Sequence, residues 1–539
     1  MAPLSIIKTP GYKLFTTPMK KHLLTLIAIL SAAIVFGQYQ NIIISNQYSP
    51  NEPSISMDIK NTDLLVAGAN LNSYYYSKDG GHNWTRETLT SAENGVSGDP
   101  CIIVDTAGAF YYLHLANPTA GSWIDRIVCQ KYDIETNLWS NDNYMGLNGT
   151  KKQDKEWAIV DRANNTIYVT WTQFDQYGTS NPEKYSNIMF SKSTDGGASW
   201  ASALQINEIS GDCVDSDNTT EGAVPAVGPE GQIYVAWSGP AGLVFDRSPD
   251  GGQTWLDEDI FISDQPGGWA YDVSGIFRCN GLPVTCCDVS TNSPHKGTIY
   301  VNWTDQRNGD SNPDVWIAKS IDGGDTWSEP ILVNDDNTDR AQFFSWMTID
   351  QANGDVYVVF YDRRNYNNAN TDVYLARSTD GGQTFSNFKI SESPFLPYSS
   401  VFFGDYTNIV AHNGRVRPIW GRLENGDMSI MTAIIDEYVD QPETIELSKA
   451  PIQLDVNFPN PFRASTFISY KLREPAVINL AVYDVFGRKI TTLINNQLTN
   501  AGKYTDVFHA DDYQLKPGVY YFTLSTSQTV KKQKMLLVE

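Results

Sequence analysis

Polar and aromatic side chains stand at the beginnings of strand-like runs that recur along the chain. The polar members are Glu52, Asp99, Glu156, Glu221, Arg278 and Asp405. The aromatic members are Trp157, Trp346 and Tyr406. Aromatic faces and carboxyl groups suit the binding of neutral sugars, and paired carboxyl groups suit glycosidic cleavage. A second interpretation stays open at this point, in which some of these groups form buried ion pairs that brace neighbouring strands.

An octapeptide recurs between these positions. It reads Ser-x-Asp-Gly-Gly-x-x-Trp, with Phe at the end of the last copy, and its copies begin at Ser77, Ser193, Ser248, Ser320 and Ser378. The Asp carboxylate can accept hydrogen bonds from turn amides, and the Gly pair supplies positive φ. The motif therefore predicts a tight β-hairpin turn with a structural Asp. The residues in question are Asp79, Asp195, Asp250, Asp322 and Asp380.

A second apolar run recurs with the octapeptide. Three copies are nearly identical, reading IYVTWT, IYVAWS and IYVNWT, with evenly spaced tryptophans at Trp171, Trp237 and Trp303. One period then holds four short strands, which is typical of a propeller blade. The pattern predicts an all-β protein with a seven-bladed β-propeller, or a six-bladed one if a weak terminal period is no true blade. Residues 41–46 are expected to supply the strand that the last period lacks.

The octapeptide resembles the Asp-box, or BNR repeat, of sialidase-like propellers, over roughly residues 40–437. The resemblance implies an active site on the central axis, with a Tyr nucleophile, a Glu partner, an Asp acid and three arginines. Tyr406 and Glu221 stand where the first two would be, and Arg278 resembles one arginine. The stretches 51–54 and 343–346 lack the other two arginines. A true exo-sialidase is therefore not expected.

These observations predict a carbohydrate-active, glycoside hydrolase-like propeller acting on an extracellular polysaccharide. A non-catalytic binding or adhesion propeller is the alternative. The candidate catalytic residues are Glu221, Tyr406, Asp405 and Asp99. The candidate ligand-binding residues are Arg278, Glu52, Glu156, Trp157 and Trp346.

The loop at 305–314 offers the one candidate metal site. Asp310, Asn312 and Asp314 place oxygen side chains at alternate positions, as a Ca²⁺ loop would. No EF-hand continuation follows, and a solvated polar loop is the alternative. No cofactor is expected to be required.

The C-terminal segment carries a separate set of motifs. Asn457–Phe462 reads NFPNPF, Tyr483–Arg488 reads YDVFGR, and Leu515–Phe522 reads LKPGVYYF. Alternating apolar residues with Gly and Pro turns predict a small antiparallel β-sandwich over 451–539, after a polar linker at 438–450. The motifs closely resemble the type A C-terminal sorting domain of the type IX secretion system of Bacteroidetes. The resemblance implies that the secretion machinery is a partner, through residues 451–539.

Composition and the N-terminus agree with export. Residues 19–37 have the basic start, apolar stretch and small-residue end of a Sec signal peptide, so 1–37 are expected to be leader and 38–437 the propeller. The net charge of −23 argues against a nucleic-acid partner. We expect a secreted or outer-membrane-surface monomer without a transmembrane segment in its mature form. Export permits disulfides, and one bridge is expected among Cys213, Cys279, Cys286 and Cys287.

Overall fold

The computed structural model describes residues 39–436, except 141, and 452–454, 457, 459–472, 474–485, 487–526 and 529–538. The expected signal peptide and the expected linker lie outside these residues. The chain divides into two compact units, 1–439 and 440–539. Across the described residues no helix has the length and apolar character needed to span a membrane.

Seven antiparallel sheets succeed one another over residues 39–436. The first contains β2 (Ser54–Met57), β3 (Leu65–Ala69), β4 (Ser73–Ser77) and β5 (Thr85–Thr88). The second contains β6 (Cys101–Val104), β7 (Phe110–Leu115), β8 (Ile127–Asp133), β9 (Leu138–Trp139) and β10 (Asn143–Met145). The third contains β11 (Lys152–Val160), β12 (Ile167–Phe174), β13 (Ser186–Ser193) and β14 (Leu204–Gln205).

The next sheets repeat this order. The fourth contains β15 (Glu221–Val227), β16 (Ile233–Gly239), β17 (Gly242–Ser248) and β18 (Ile260–Ser263), and a short ribbon, β19 (Ala270–Tyr271) with β20 (Cys279–Asn280), follows it. The fifth contains β21 (Val284–Cys287), β22 (Ile299–Asp305), β23 (Asp314–Ser320) and β24 (Ile331–Leu332). The sixth contains β25 (Gln342–Asp350), β26 (Asp355–Asp362), β27 (Asp372–Ser378) and β28 (Ser386–Lys389).

The seventh sheet joins the two ends of this unit. It contains β29 (Asn408–His412), β30 (Arg415–Glu424), β31 (Asp427–Asp436) and, at its edge, β1 (Gln40–Ser45). Gln40 lies opposite Ile434 and Ile43 opposite Met431 in the β1–β31 ladder. This is the pairing expected from the sequence for residues 41–46.

The first strand of each sheet packs against the first strand of the next. The contacts run in order through β2, β6, β11, β15, β21, β25 and β29, and β29 in turn packs against β2. The second strands are buried on both faces. The tryptophans at their centres, Trp171, Trp237 and Trp303, are at most 1% exposed. A run of β-branched and aromatic residues is what such a doubly covered strand requires.

The octapeptide turns have the expected geometry. In the last copy the Asp380 Oδ1 accepts hydrogen bonds from Ser378 Oγ at 2.7 Å and from the Thr384 backbone N–H at 3.0 Å. Its Oδ2 accepts from Thr384 Oγ1 at 2.6 Å. Gly381 and Gly382 have φ of 72° and 70°. One carboxylate thus fixes the whole turn.

The second unit consists of two antiparallel sheets that share one apolar core. One contains β32 (Ile452–Leu454), β33 (Ser465–Leu472) and β36 (Gly502–His509). The other contains β34 (Ala476–Tyr483), β35 (Lys489–Thr499), β37 (Gly518–Ser525) and β38 (Val530–Leu537), and a 3₁₀ turn covers Asp511–Tyr513. Both sheets contribute to the core, for example through Ile468, Phe508, Leu480 and Phe522.

The expectation of a disulfide is wrong, because all six cysteines are free thiols. Cys286 and Cys287 are neighbours on β21, and neighbouring residues of a strand point to opposite faces. Cys279 lies in β20, and Cys213 lies in a loop bridged to Thr179. The sequence pattern could not reveal this separation.

Candidate functional site

Irregular backbone lies at the entrances to several first strands. Glu52, Asp99, Lys155 and Phe344 have φ between 51° and 52°, in the left-handed region that side chains seldom adopt. In β11 and β25 the strand register shifts at this place, as in a β-bulge. Bulges re-aim side chains, and here the side chains that follow them meet those of other sheets.

Asp405 is the centre of an ion cluster that joins three parts of the chain. Lys155 Nζ donates to Asp405 Oδ2 at 2.8 Å. Arg278 Nε donates to Oδ1 at 2.7 Å, and Arg278 Nη2 contacts Oδ2. Burial alone would raise the pKa of Asp405, but the two cations outweigh it and hold that pKa well below its usual range. Asp405 is therefore an ionised anchor at any ordinary pH.

Two further carboxylates complete the neutralisation of the cations. Lys155 Nζ lies 3.4 Å from Asp99 Oδ2, and Arg278 Nη1 lies 3.5 Å from Asp215 Oδ2. Burial alone would lower the pKa of Lys155, but Asp405 and Asp99 raise it well above its usual value. Both cations are engaged inside the protein. Arg278 is thus not a free guanidinium awaiting a substrate carboxylate.

Three other carboxyl groups of the cluster lack a compensating cation. Glu52, Glu156 and Glu221 are at most 2% exposed. Desolvation by burial, followed by nearby carboxylates, raises the pKa of each well above its usual value. Both carboxyl oxygens of Glu156 and of Glu221 lack a hydrogen-bond partner among the described residues. Burial also raises the pKa of Asp154 to about 7. The three glutamic acids are therefore easier to protonate than ordinary carboxyl groups.

An aromatic cluster lies beside the ions. The ring centroids of Trp157 and Trp346 are 4.3 Å apart, and Trp157 meets Tyr406 edge-on at 5.0 Å. The Tyr406 hydroxyl is buried without a hydrogen-bond partner among the described residues. The cluster gives the site one apolar wall.

Two small pockets open among these groups. The first, of about 30 Å³, lies between the aromatic cluster and Asp405. The second, of about 80 Å³, is lined by Glu221, Asp215, Arg278 and Trp269 among others. Both pocket volumes are smaller than the roughly 300–1,000 Å³ that is usual for small-molecule sites. A ligand would engage their mouths or widen them.

The structure brings the predicted polar and aromatic residues into one region. Within it, however, Tyr406 and Glu221 line different pockets. Tyr406 lines the first pocket and Glu221 the second, and no hydrogen bond joins the two side chains. Sequence reasoning missed Lys155, Asp154 and Asp215. Lys155 stands in the charged stretch KKQDKE, which is typical of a solvated surface. The alignment of the first strands was the only signal that could have singled it out.

In the candidate Ca²⁺ loop, side-chain amide groups already donate hydrogen bonds to the Asp314 carboxylate. Asp314 Oδ2 accepts from Asn308 Nδ2 at 2.6 Å, and Asp314 Oδ1 accepts from Asn334 Nδ2 at 2.7 Å. The described residues contain no group of three or more His, Cys, Asp or Glu side chains that could hold a metal ion. The Ca²⁺ site at Asp310, Asn312 and Asp314 stays a prediction.

Comparison with known families identifies the C-terminal segment. Residues 457–539 match the secretion system C-terminal sorting domain. The sorting domain of the type IX system expected from the sequence is thereby confirmed, and it indicates export to the cell surface or the extracellular space. No curated protein matches the chain.

Several solved structures resemble the chain. The Hadza microbial sialidase Hz136 is 14% identical, with 70% of this chain and 74% of that chain covered and a TM-score of 0.38. A protein of unknown function from Dyadobacter fermentans is 13% identical, with coverage of 74% and 98% and a TM-score of 0.42. A PL25 ulvan lyase is 11% identical, with coverage of 74% and 96% and a TM-score of 0.45. None reaches a TM-score of 0.5, so none identifies a function for this chain.

Proposed function

We propose that the first unit is a seven-bladed β-propeller of the sialidase-like, Asp-box type, closed by β1. The unbroken cycle of contacts between first strands supports a ring, as does the pairing of β1 with β31. Each of the seven sequence periods has a sheet of its own, which supports seven blades over six. The carboxyl cluster then lies at one end of the ring axis, where the first strands begin.

On this face the protein recognises extracellular carbohydrate and cleaves it as a glycoside hydrolase. The observation that carries the proposal is Glu221, a buried carboxyl group with a raised pKa that lines a pocket and has no hydrogen-bond partner among the described residues. Such a group suits proton donation to a glycosidic oxygen. Asp215 lines the same pocket, where Arg278 and the Tyr177 hydroxyl hold its carboxylate, so it is the candidate second carboxyl.

The preferred substrate is a neutral sugar polymer. Lys155 and Arg278 are already neutralised by Asp405, Asp99 and Asp215, so the site offers no spare cation to a uronic or sialic acid. The exposed part of the Arg278 side chain stacks on Phe402 at 5.3 Å, which adds an apolar edge. Pockets with volumes of about 30 and 80 Å³ fit the ends or edges of sugar rings.

The test is release of reducing ends from a panel of neutral and acidic polysaccharides by the secreted chain. We expect turnover of a neutral polymer and a loss of about 100-fold or more in Glu221→Gln, the usual effect of removing a general acid. Glu156→Gln is the matched control: the sequence placed Glu156 among the candidate ligand-binding residues, but it lines neither pocket, although it is as buried and unpartnered as Glu221 among the described residues. Tyr406→Phe tests the nucleophile expected from the sequence, and retained turnover would leave Asp215 as the second group. Full turnover by Glu221→Gln would contradict the assignment.

A non-catalytic binding or adhesion propeller is the second candidate. Two observations favour this second candidate. The pockets are small, and both cations are paired within the protein, as in a cluster that only stabilises the fold. Saccharide binding without product, unchanged by Glu221→Gln and Tyr406→Phe, would establish this alternative. The Sec signal peptide at 1–37 and the monomeric state belong to the same proposal, and N-terminal sequencing and light scattering of the secreted protein test them.

A further inference from the structure

A larger cavity lies at the opposite ends of the first strands. Its walls come from the last residues of all seven of them, including Met57 of β2, Val160 of β11 and Ile349 of β25. Its volume is about 440 Å³, within the range usual for small-molecule sites. The carboxyl cluster lies where these strands begin, so the two sites are separate.

Two cations and one carboxylate, that of Asp161, line this cavity together with the apolar strand ends. Arg162 follows β11, and Lys296 lies in the loop between β21 and β22. Among the described residues neither side chain has an ion-pair or hydrogen-bond partner, although the protein's net charge is −23. Desolvation lowers the pKa of Arg162, and Asp350 only partly offsets this. The Arg162 side chain is nevertheless exposed to solvent, as is that of Lys296, so an anion that enters the cavity can reach both.

The carboxylates near Arg162 are already engaged elsewhere. Asp161 accepts hydrogen bonds from a backbone N–H and from Asn164 Nδ2, both at 2.8 Å. Asp350 accepts three backbone N–H groups at 2.7–2.9 Å. Neither carboxylate lies within ion-pair distance of the Arg162 guanidinium. The cation is thus left for a partner from outside the chain.

We propose that this cavity binds an organic anion with an apolar body, such as an alkyl carboxylate, whose acid group pairs with Arg162 and Lys296. The planar guanidinium suits two-point binding of a carboxylate or sulfate, and the ammonium adds a second charge. The apolar walls bury the alkyl body. The proposal is independent of carbohydrate binding at the other end of the ring.

Titration calorimetry with octanoate, 1-octanol and octylamine tests the proposal on the secreted chain. We expect octanoate to bind with one-to-one stoichiometry, and the neutral and cationic analogues at least about tenfold more weakly, since they lack the charge-assisted hydrogen bonds. Arg162→Met should weaken octanoate binding about tenfold or more, and Lys296→Met less. Arg162→Lys, which keeps the charge but loses the two-point geometry, should bind octanoate with an affinity between those of the wild type and Arg162→Met.

Lys78→Met is the matched control, because Lys78 is an exposed lysine in an octapeptide turn, paired only with Glu135 at 4.0 Å. It should leave the dissociation constant unchanged. Should the Arg162 variants fail to fold, Lys296→Met carries the test, since Lys296 is in an exposed loop. Equal binding of octanoate and octanol, absence of octanoate binding, or an unchanged dissociation constant in both Met variants would overturn the proposal.

Discussion

Arg278 and Asp405 form a two-point ion pair between the ribbon before β21 and the entrance to β29. Nε donates to Oδ1 at 2.7 Å while Nη2 contacts Oδ2. Asp405 is 3% exposed at its side chain and Arg278 44%, so the pair spans the boundary between core and solvent. The ion pair joins these two parts of the chain and also lines the pocket that contains Glu221.

Replacing the carboxylate of this brace should destabilise the protein strongly. Asp405→Asn leaves the buried Lys155 ammonium and Arg278 without their main counter-charge, and breaking one side of a buried pair costs about 3–5 kcal/mol. Urea denaturation measures this loss. Asp339→Asn is the control, because Asp339 is 84% exposed beside Arg340, and it should change stability by less than about 0.5 kcal/mol. Equal effects would contradict the buried-brace assignment.

Glu156 should make stability depend on pH. Its pKa is raised in the folded protein, so the proton it keeps favours the folded state below pH 4.5, the ordinary value, and this contribution is lost as the pH rises above it. Relative to wild type, Glu156→Gln should therefore gain up to about 1.4 kcal/mol per pH unit above pH 4.5. Denaturation at pH 4.5, 6 and 7.5 measures it, with the exposed Glu135→Gln as control. A pH-independent difference would refute the raised pKa.

The octapeptide carboxylates should act as turn staples rather than catalysts. Asp380→Ala removes the acceptor of several turn hydrogen bonds and should cost about 1–2 kcal/mol without affecting ligand binding. Asp257→Ala, at an exposed aspartate outside any octapeptide, should cost less than about 0.5 kcal/mol. Thermal melting compares them. Loss of saccharide binding in Asp380→Ala at full stability would overturn the structural role.

Two neighbouring isoleucines test the contribution of β1 to its sheet. Ile44 is 6% exposed and packs with Ile419 and Ile430, whereas Ile43 is 60% exposed. Ile44→Ala should cost about 2–4 kcal/mol, and Ile43→Ala should cost little. Chemical denaturation should lose stability in one cooperative transition. Similar small effects would mean that β1 is dispensable.

The sorting domain should be needed for delivery and not for folding of the first unit. A chain lacking residues 451–539 should retain its unfolding transition, because the seven sheets and their contacts lie within 39–436. It should fail to reach the cell surface or the medium. Fractionation of cells with immunoblotting measures this, and surface delivery of the truncated chain would contradict the sorting role.

The periodic part of the fold could be predicted from sequence because each period repeats the same local physics. The octapeptide fixes a turn through its own Ser, Asp and Gly residues, and runs such as β12, β16 and β22 are rich in β-branched and aromatic residues. Neither feature depends on distant residues. Strand order and turn geometry followed from them directly.

The ion cluster could not be predicted in this way. Lys155 and Asp405 are 250 positions apart, and their contact depends on a left-handed φ at Lys155 that no local motif announces. Arg278 was found by resemblance, but its capture by Asp405 and Asp215 changes what it can bind. The absence of the expected disulfide has a similar cause, because disulfide pairing depends on which strands face each other.

The pairing of Gln40 with Ile434 assigns an order to assembly. Each of the other sheets can form from one contiguous stretch of chain, but the seventh must wait until β1 and β31 are in the same compartment. Closing so long a loop is entropically costly, and contacts of this kind form late. In an exported chain, this sheet can therefore form only after residues up to Asp436 have joined β1 on the same side of the membrane.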